Sequence, residues 1–168
     1  MALEPRQGAR PTALRCVVAI TALVLMIASA AAAQSGRALQ RTQLQRSVAL
    51  WNAQHLRNYT FRIQFTAFPV PGGNLPVTIT VRNGRPSDSK SVQLQHAYGG
   101  FPLDTVPNLF KEIRHVLSDP NAGKVVVHYD RRHGFPVSAS IDPTKAIVDD
   151  EFSWTIDQFR SSDHVRSK

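Results

Sequence analysis

The hydrophobic period of the chain changes from helical to extended at residue 59, and this change limits the folds open to it. Upstream, apolar side chains recur at helical spacing and predict a helix from Ala38 to Asn58. The residues expected on its buried face are Leu44, Val48, Trp51 and His55. Downstream, apolar and polar residues alternate, which predicts a strand with one buried face. That face is expected to carry Tyr59, Phe61, Ile63 and Phe65.

Two more strands are predicted in the first half of the chain. Residues 77–81 alternate in the same way, and Asn83-Gly84 follows, a dipeptide that adopts the positive φ angles of a tight hairpin turn. The third strand is weaker, with Val92 and Leu94 as its only apolar anchors. Because Pro86 has no backbone N–H to donate, this strand is expected at an edge of the sheet.

The second half of the chain has the same order of elements. An apolar stripe at helical spacing predicts a second helix, capped by Asp104 or Thr105. The stripe consists of Val106, Leu109, Phe110, Ile113, Val116 and Leu117. Three strands follow, near residues 124–130, 137–142 and 152–156. Since short turns join antiparallel neighbours, the predicted fold is α+β. We expect a single antiparallel sheet of about six strands with two helices on one face, in the order α-β-β-β-α-β-β-β.

Residues 1–33 have the pattern of a secretory signal peptide. Three arginines precede an apolar or small run from Cys16 to Ala33, and small residues stand before Gln34. Cleavage is expected after Ala33, with Ala30 as the alternative. An uncleaved membrane anchor is the other interpretation, although the run is a little short of the roughly 20 apolar residues that span a bilayer. The sequence therefore predicts export to the periplasm or the medium, with membrane contact only through an uncleaved leader.

Beyond the leader, the sequence predicts a linker at residues 34–37, one α+β domain at 38–160 and a disordered tail at 161–168. This part has 17 basic and 11 acidic residues, a formal charge of +6, and no cysteine. The domain must therefore be held by its apolar core without disulfides. The charge is typical of a solvated surface or of a protein that meets anionic envelope polymers, and export argues against nucleic acid as a partner.

The sequence lacks the common catalytic patterns. Its one cysteine, Cys16, lies in the leader, which excludes thiol chemistry and cysteine–zinc sites from the domain. No two histidines have the helical spacing of a zinc protease, and there is no Gly-x-Ser-x-Gly turn or Gly-rich phosphate loop. A non-enzymatic role is favoured, and no catalytic residue, metal or cofactor is assigned.

The best candidate for a binding site is acidic. Carboxylates in loops at one end of a sheet can bind calcium, which takes about six to eight oxygen ligands, or can contact a glycan. The candidate residues are Asp130, Asp142, Asp149, Asp150 and Glu151. Their spacing does not match an EF-hand loop. The simpler interpretation is that the aspartates shape turns by bonding to backbone N–H groups.

Another set of residues is interpreted as structural. Its members are Trp51, Tyr59, Phe61, Asn83, Gly84, Tyr129, Gly134, Pro136 and Trp154. Both tryptophans fall on the predicted buried face of their elements, so core packing is expected for them. Asp130 is expected to cap a hairpin turn in which Gly134 takes a positive φ, and Pro136 then fixes the start of the next strand.

Three segments of the chain share a pattern with a known family. They are Trp51-x6-Asn58-Tyr59-Thr60-Phe61, Val77-x-Ile79-x-Val81-x-Asn83-Gly84, and His128-Tyr129-Asp130-x3-Gly134-Phe135-Pro136-x4-Ile141-Asp142 with Asp149-Asp150-Glu151. In these segments the chain resembles DUF6174, a family of small exported bacterial proteins, from about Val48 to Phe159. The resemblance implies a secreted or envelope-anchored domain and implies no particular activity.

The chain departs from the family pattern in two places. Many members carry cysteines just after the first strand, where this chain has Thr66-Ala67-Phe68, so any disulfide there is absent. Relatives tend to have Pro and Tyr in the turn after Tyr129-Asp130, where this chain has Arg131 and His133. The turn is therefore more basic than the family pattern implies.

These observations leave three functional hypotheses. The first is a non-enzymatic binding or structural protein of the bacterial envelope or secreted fraction. It would contact an envelope protein or an anionic envelope polymer through the sheet face or through the open edge expected at the third strand, residues 85–94. The second is a calcium- or glycan-binding protein that uses the acidic turn at Asp142, Asp149, Asp150 and Glu151. The third is an enzyme of unrecognised type.

Overall fold

Two helices and six strands make up the part of the chain that the computed structural model describes, residues 36–67, 75–87 and 102–163. The helices are α1, residues 36–53, and α2, Val106–Ser118. The strands are β1 (Tyr59–Ala67), β2 (Val77–Arg82), β3 (Arg85–Pro86), β4 (Val125–Tyr129), β5 (Pro136–Ile141) and β6 (Phe152–Ser161). The predicted α+β class and element order are confirmed. Neither helix, over its described residues, has the length and apolar character needed to cross a bilayer.

The six strands form one antiparallel sheet in the order β3-β2-β1-β6-β5-β4. Its central pair joins the two halves of the chain, because β1 lies beside β6. Ile63 is opposite Ile156, and Phe65 is opposite Trp154. The apolar faces of both halves therefore merge into one core, and within the described residues β3 and β4 are the two edge strands of the sheet.

The first hairpin has the predicted turn. Asn83 and Gly84 have φ angles of 52° and 78°, which are the positive values expected of this dipeptide. Pro86 lies in β3 at an edge of the sheet, so the expected edge position is confirmed. Val92 and Leu94, the predicted anchors of this strand, lie outside the described residues.

Both helices cover the same face of the sheet, and Tyr59 of β1 touches both. Its ring packs edge-on against Trp51 of α1, with 5.2 Å between ring centroids. Its hydroxyl accepts a hydrogen bond of 3.2 Å from the N–H of Val106, at the start of α2. The stripe predicted on α2 is fully or almost fully buried. On the other side of the sheet, side chains such as Thr66 and Thr155 are exposed, so the predicted layer arrangement is confirmed.

The two ends of α2 are bound by side chains. Of the two candidate caps, Thr105 is the N-cap: its hydroxyl accepts the N–H of Asn108 at 3.3 Å, while Asp104 bonds to the amide side chain of Asn108. At the other end, Arg41 and Arg37 of α1 donate hydrogen bonds to backbone carbonyl oxygens at the C-terminal end of α2, with nitrogen–oxygen distances of 2.6 and 2.7 Å. Because the last carbonyls of a helix have no partner within it, these arginines fix α1 against α2.

Helix α1 ends earlier than the hydrophobic pattern predicts. It stops at residue 53, not at Asn58, and His55 has a φ of 52°. A left-handed residue at this position terminates a helix. His55 is exposed, so its predicted place on the buried face is wrong, and Leu56 is buried there at 7% exposure. The chain has to reverse at this point to bring Tyr59 into β1.

Strand β6 continues past the predicted end of the domain. Ser161 pairs with Tyr59, and the carboxylate of Asp163 accepts hydrogen bonds from the backbone and side-chain amides of Asn58, at 2.7 and 2.6 Å. The side-chain oxygen of Asn58 also accepts the N–H of Asn83 at 3.0 Å. Residues 161–163 therefore belong to the fold and not to the predicted tail, because these bonds tie them to the segment between α1 and β1.

Candidate binding site at the edge of the sheet

A groove open to solvent separates α1 from the edge strand β4. It encloses about 350 Å³. The helix contributes Gln43, Arg46 and Leu50 to its wall, and the strand side contributes Tyr129 and Arg131. At one point the two walls are bridged, because the side-chain oxygen of Gln40 accepts the N–H of Val127 at 3.2 Å.

The turn between β4 and β5 closes one end of the groove. Asp130 caps it: one carboxylate oxygen accepts the backbone N–H of Arg132 at 3.0 Å and that of His133 at 2.6 Å. The same oxygen lies 3.0 Å from Nδ1 of His133. Gly134 has a φ of 83°, as a turn at this position requires. These are the turn roles that the sequence predicts for Asp130 and Gly134.

This turn packs directly on α1. A Cβ atom on Gly134 would lie 2.5 Å from the carbonyl oxygen of Ser47 and 3.2 Å from the backbone nitrogen of Trp51. The side chain of Gln54, just after α1, also donates to the carbonyl of His133 at 2.9 Å. Glycine is therefore needed for close approach as well as for its φ angle, and this contact sets the distance between α1 and the β4–β5 hairpin.

An aromatic cluster lies behind the turn. Phe159 of β6 stacks on Phe135 with 4.4 Å between centroids, and Trp51 meets Phe159 edge-on at 5.9 Å. The ring of His133 lies 5.2 Å from that of Phe159. Trp51, Phe135 and Trp154 are all buried. The motif aromatics are thus part of the core that holds α1 beside β4, in agreement with their structural interpretation.

Tyr129 lies on the strand side of the groove with its hydroxyl inside the protein. Its ring stacks on Phe110 of α2 at 6.5 Å. The hydroxyl is buried, and no hydrogen-bond partner for it occurs among the described residues. Burial raises the pKa of the Tyr129 phenol above its usual range, so the group stays neutral and keeps its proton at physiological pH.

The groove is electropositive. Arg46 and Arg131 line it and are both exposed. Asp130 is the one acidic residue among the described residues that line the groove, so two arginines face one carboxylate there. The surplus positive charge therefore faces the solvent in the groove, where it can attract an anionic ligand.

The structure places Asp130 apart from the other predicted acidic residues. Asp130 lies before β5, whereas Asp142, Asp149, Asp150 and Glu151 lie between β5 and β6, at the other end of the strand. Asp142 packs against Gly123, and Asp149 has a φ of 66° in a turn. Within the described ranges, no group of three or more His, Cys, Asp or Glu side chains is placed to hold a metal ion. The calcium interpretation gains no support from this placement.

Comparison with known proteins gives a family without an assigned activity. The model of DUF6174, a family of unknown function, matches residues 43–161. The chain belongs to DUF6174. No curated protein and no solved structure matches it. The matched range of the DUF6174 domain includes most of α1, all six strands and the whole β4–β5 turn.

The groove residues on α1 were not predicted from the sequence. Gln40, Gln43 and Arg46 lie on the polar side of an amphipathic helix, where solvated side chains are the ordinary expectation. Only the packing of α1 on the hairpin places them opposite β4, and Gln40 and Val127 are 87 residues apart. The basic residue Arg131, noted as a departure from the family pattern, was the one signal in the sequence.

Proposed function

We propose that this DUF6174 domain is an exported, non-enzymatic protein that binds another macromolecule of the cell envelope or secreted fraction. The observation that carries the proposal is the edge strand β4, which borders an open groove. An edge strand presents backbone N–H and C=O groups that can pair with another chain. Addition of a strand to such an edge is a common mode of peptide recognition.

The export part of the proposal depends on the pattern of residues 1–33. It is tested by expressing the full chain in a bacterial host, separating periplasm, membrane and medium, and sequencing the N-terminus of the recovered protein. We expect a mature protein that begins at Gln34, or at Ala31 if the alternative site is used. Recovery of the intact chain from the cytoplasm would contradict export, and recovery of the intact chain from the membrane would favour the anchor.

The binding part is tested by photo-crosslinking in living cells from three exposed positions. Arg46 lies in the groove, Thr155 on the open sheet face, and Arg114 on α2 as a control surface. A photoreactive amino acid at Arg46 should capture one defined protein, and the same group at Arg114 should not. Capture at Thr155 alone would place binding on the sheet face. Absence of any adduct at Arg46 and Thr155, with normal export, would refute the proposed function.

A further inference from the structure

We infer that the groove between α1 and β4 binds an extended, acidic peptide segment of a partner protein, which adds to the sheet as a seventh strand. The inference rests on the proposed function, and it names the surface and the chemistry of the partner. Its evidence is the direction of the backbone groups of β4, the bond made by Gln40, and the charge of the groove.

The backbone of β4 faces the groove at alternate residues. The carbonyl of Lys124 accepts the N–H of Asp142 at 2.9 Å, so residue 124 faces β5. Successive residues of a strand point their backbone groups in opposite directions. Val125, Val127 and Tyr129 therefore direct their N–H and C=O groups away from β5, toward the groove. These three residues provide the pairing sites for an added strand.

Gln40 stands where the carbonyl of an added strand would be. Its side-chain oxygen accepts the outward N–H of Val127 at 3.2 Å. A neutral hydrogen bond at a half-exposed side chain contributes little net stability, because water or another acceptor can replace it. A peptide carbonyl can therefore displace Gln40 at small cost, and the backbone group is protected while no peptide is bound.

The groove has the dimensions of a short segment. Its volume of about 350 Å³ lies near the lower end of the roughly 300–1,000 Å³ typical of ligand sites. Strand β4 has five residues, which limits the length that can pair. On the opposite wall, Leu50 is 38% exposed and offers an apolar contact to a side chain of the added strand. A short extended segment fits these features better than a folded domain does.

The charge of the groove specifies an acidic segment. Arg46 and Arg131 line opposite walls, and both are exposed. Asp130 offsets only one of these two charges, and its carboxylate is held in the turn by the N–H groups of Arg132 and His133. Glutamate or aspartate side chains at alternate positions of an added strand would lie beside the arginines, while the residues between them face the opposite side of the strand.

The test uses a defined probe and nuclear magnetic resonance. The ¹⁵N-labelled protein, expressed from the full sequence with its own leader and purified from the exported fraction, is titrated with a peptide of about five Glu-Val repeats. We expect the largest amide shifts at Val125, Val127 and Tyr129. Two control peptides are a Lys-Val repeat of equal length and the Glu-Val peptide N-methylated at every residue. The first has the wrong charge and the second lacks backbone donors, so neither should bind.

Four variants separate the groove from general electrostatics. Arg46→Glu should lower the affinity for the Glu-Val peptide by about tenfold. Arg114→Glu, with the same charge change on α2, should leave this affinity unchanged. Gln40→Ala should tighten binding severalfold, because the peptide no longer competes with the glutamine for Val127. Arg46→Gln, which removes the charge without reversing it, should weaken binding less than Arg46→Glu. Thermal melts of all four proteins establish that each is folded.

Several outcomes would overturn the inference. They are shifts confined to other surfaces, equal binding of the Lys-Val peptide, an equal loss in Arg114→Glu, and a concentration-dependent dimer that occupies the groove in place of the peptide. Failure here is distinguishable from failure of the proposed function. If a cellular partner is captured at Thr155 and no peptide binds in the groove, the inference about the groove is refuted and the proposed binding function is supported. Peptide binding in the groove without capture of any cellular partner would support the inference about the groove and refute the proposed function.

Discussion

Gly134 offers the most direct test of how the β4–β5 turn holds α1. Its φ is 83°, and an added Cβ would lie 2.5 Å from the carbonyl oxygen of Ser47. The left-handed conformation costs an L-residue about 1–2 kcal/mol, and forcing an extra atom into a packed contact costs about 1–3 kcal/mol. We therefore expect Gly134→Ala to lower the free energy of unfolding by roughly 2–5 kcal/mol.

Gly84 provides the matched control for this substitution. Its φ is 78°, close to that of Gly134, but a Cβ there would have nothing within 4 Å. Gly84→Ala should therefore cost only the conformational strain, about 1–2 kcal/mol. Urea denaturation followed by the fluorescence of the two buried tryptophans measures both variants. Equal losses in the two variants would refute the argument, because the contact between the turn and α1 would then contribute nothing to stability.

Three further substitutions test contacts at the ends of elements. The pKa of Asp163 is lowered, chiefly by the side-chain hydrogen bond from Asn58, so its carboxylate stabilises the fold above the ordinary value of 3.8 and loses this effect in more acidic solution. The melting temperature of Asp163→Asn should accordingly fall short of the wild-type value at neutral pH, and the gap should close as the pH drops below 3.8; a gap independent of pH would contradict this. Arg37→Met should cost about 1–2 kcal/mol in urea denaturation, because carbonyls after α2 lose their donor, whereas the exposed Arg46→Met should stay within about 0.5 kcal/mol. Thr105→Ala should cost about 1 kcal/mol by removing the cap of α2, and an unchanged urea midpoint would show that the cap is dispensable.

Local patterns in the sequence predicted the helices and strands because each element buries one face, and its apolar residues recur with the period of that face. The alternation that begins at Tyr59 and the stripe on α2 each have one buried face, and the structure places those faces in the core. The same reasoning failed at His55. The hydrophobic spacing continued there, but the chain has to reverse to enter β1, and that requirement comes from tertiary structure.

The relation between distant segments could not be read from such patterns. Strand β1 pairs with β6 and so joins the two halves of the chain. The sequence of neither strand indicates which other strand it pairs with. The groove depends on the same kind of contact, since Gln40 meets Val127 across 87 residues. The acidic residues show a related error. We expected Asp130 and Asp149 in loops at one end of the sheet, but they lie at opposite ends of β5.

The turn and the groove should be mechanically coupled, because both depend on the position of α1. Gly134 touches α1 at Ser47, about two helical turns from Gln40. A Cβ that pushes the helix outward at Ser47 should lengthen the bond between Gln40 and Val127 and open the groove. Hydrogen exchange of the Val127 amide in native conditions should therefore be faster in Gly134→Ala than in Gly84→Ala, after correction for their global stabilities. If Val127 is equally protected in both, other contacts of α1, such as those of Trp51, fix it beside β4, and the turn has no influence on the binding edge.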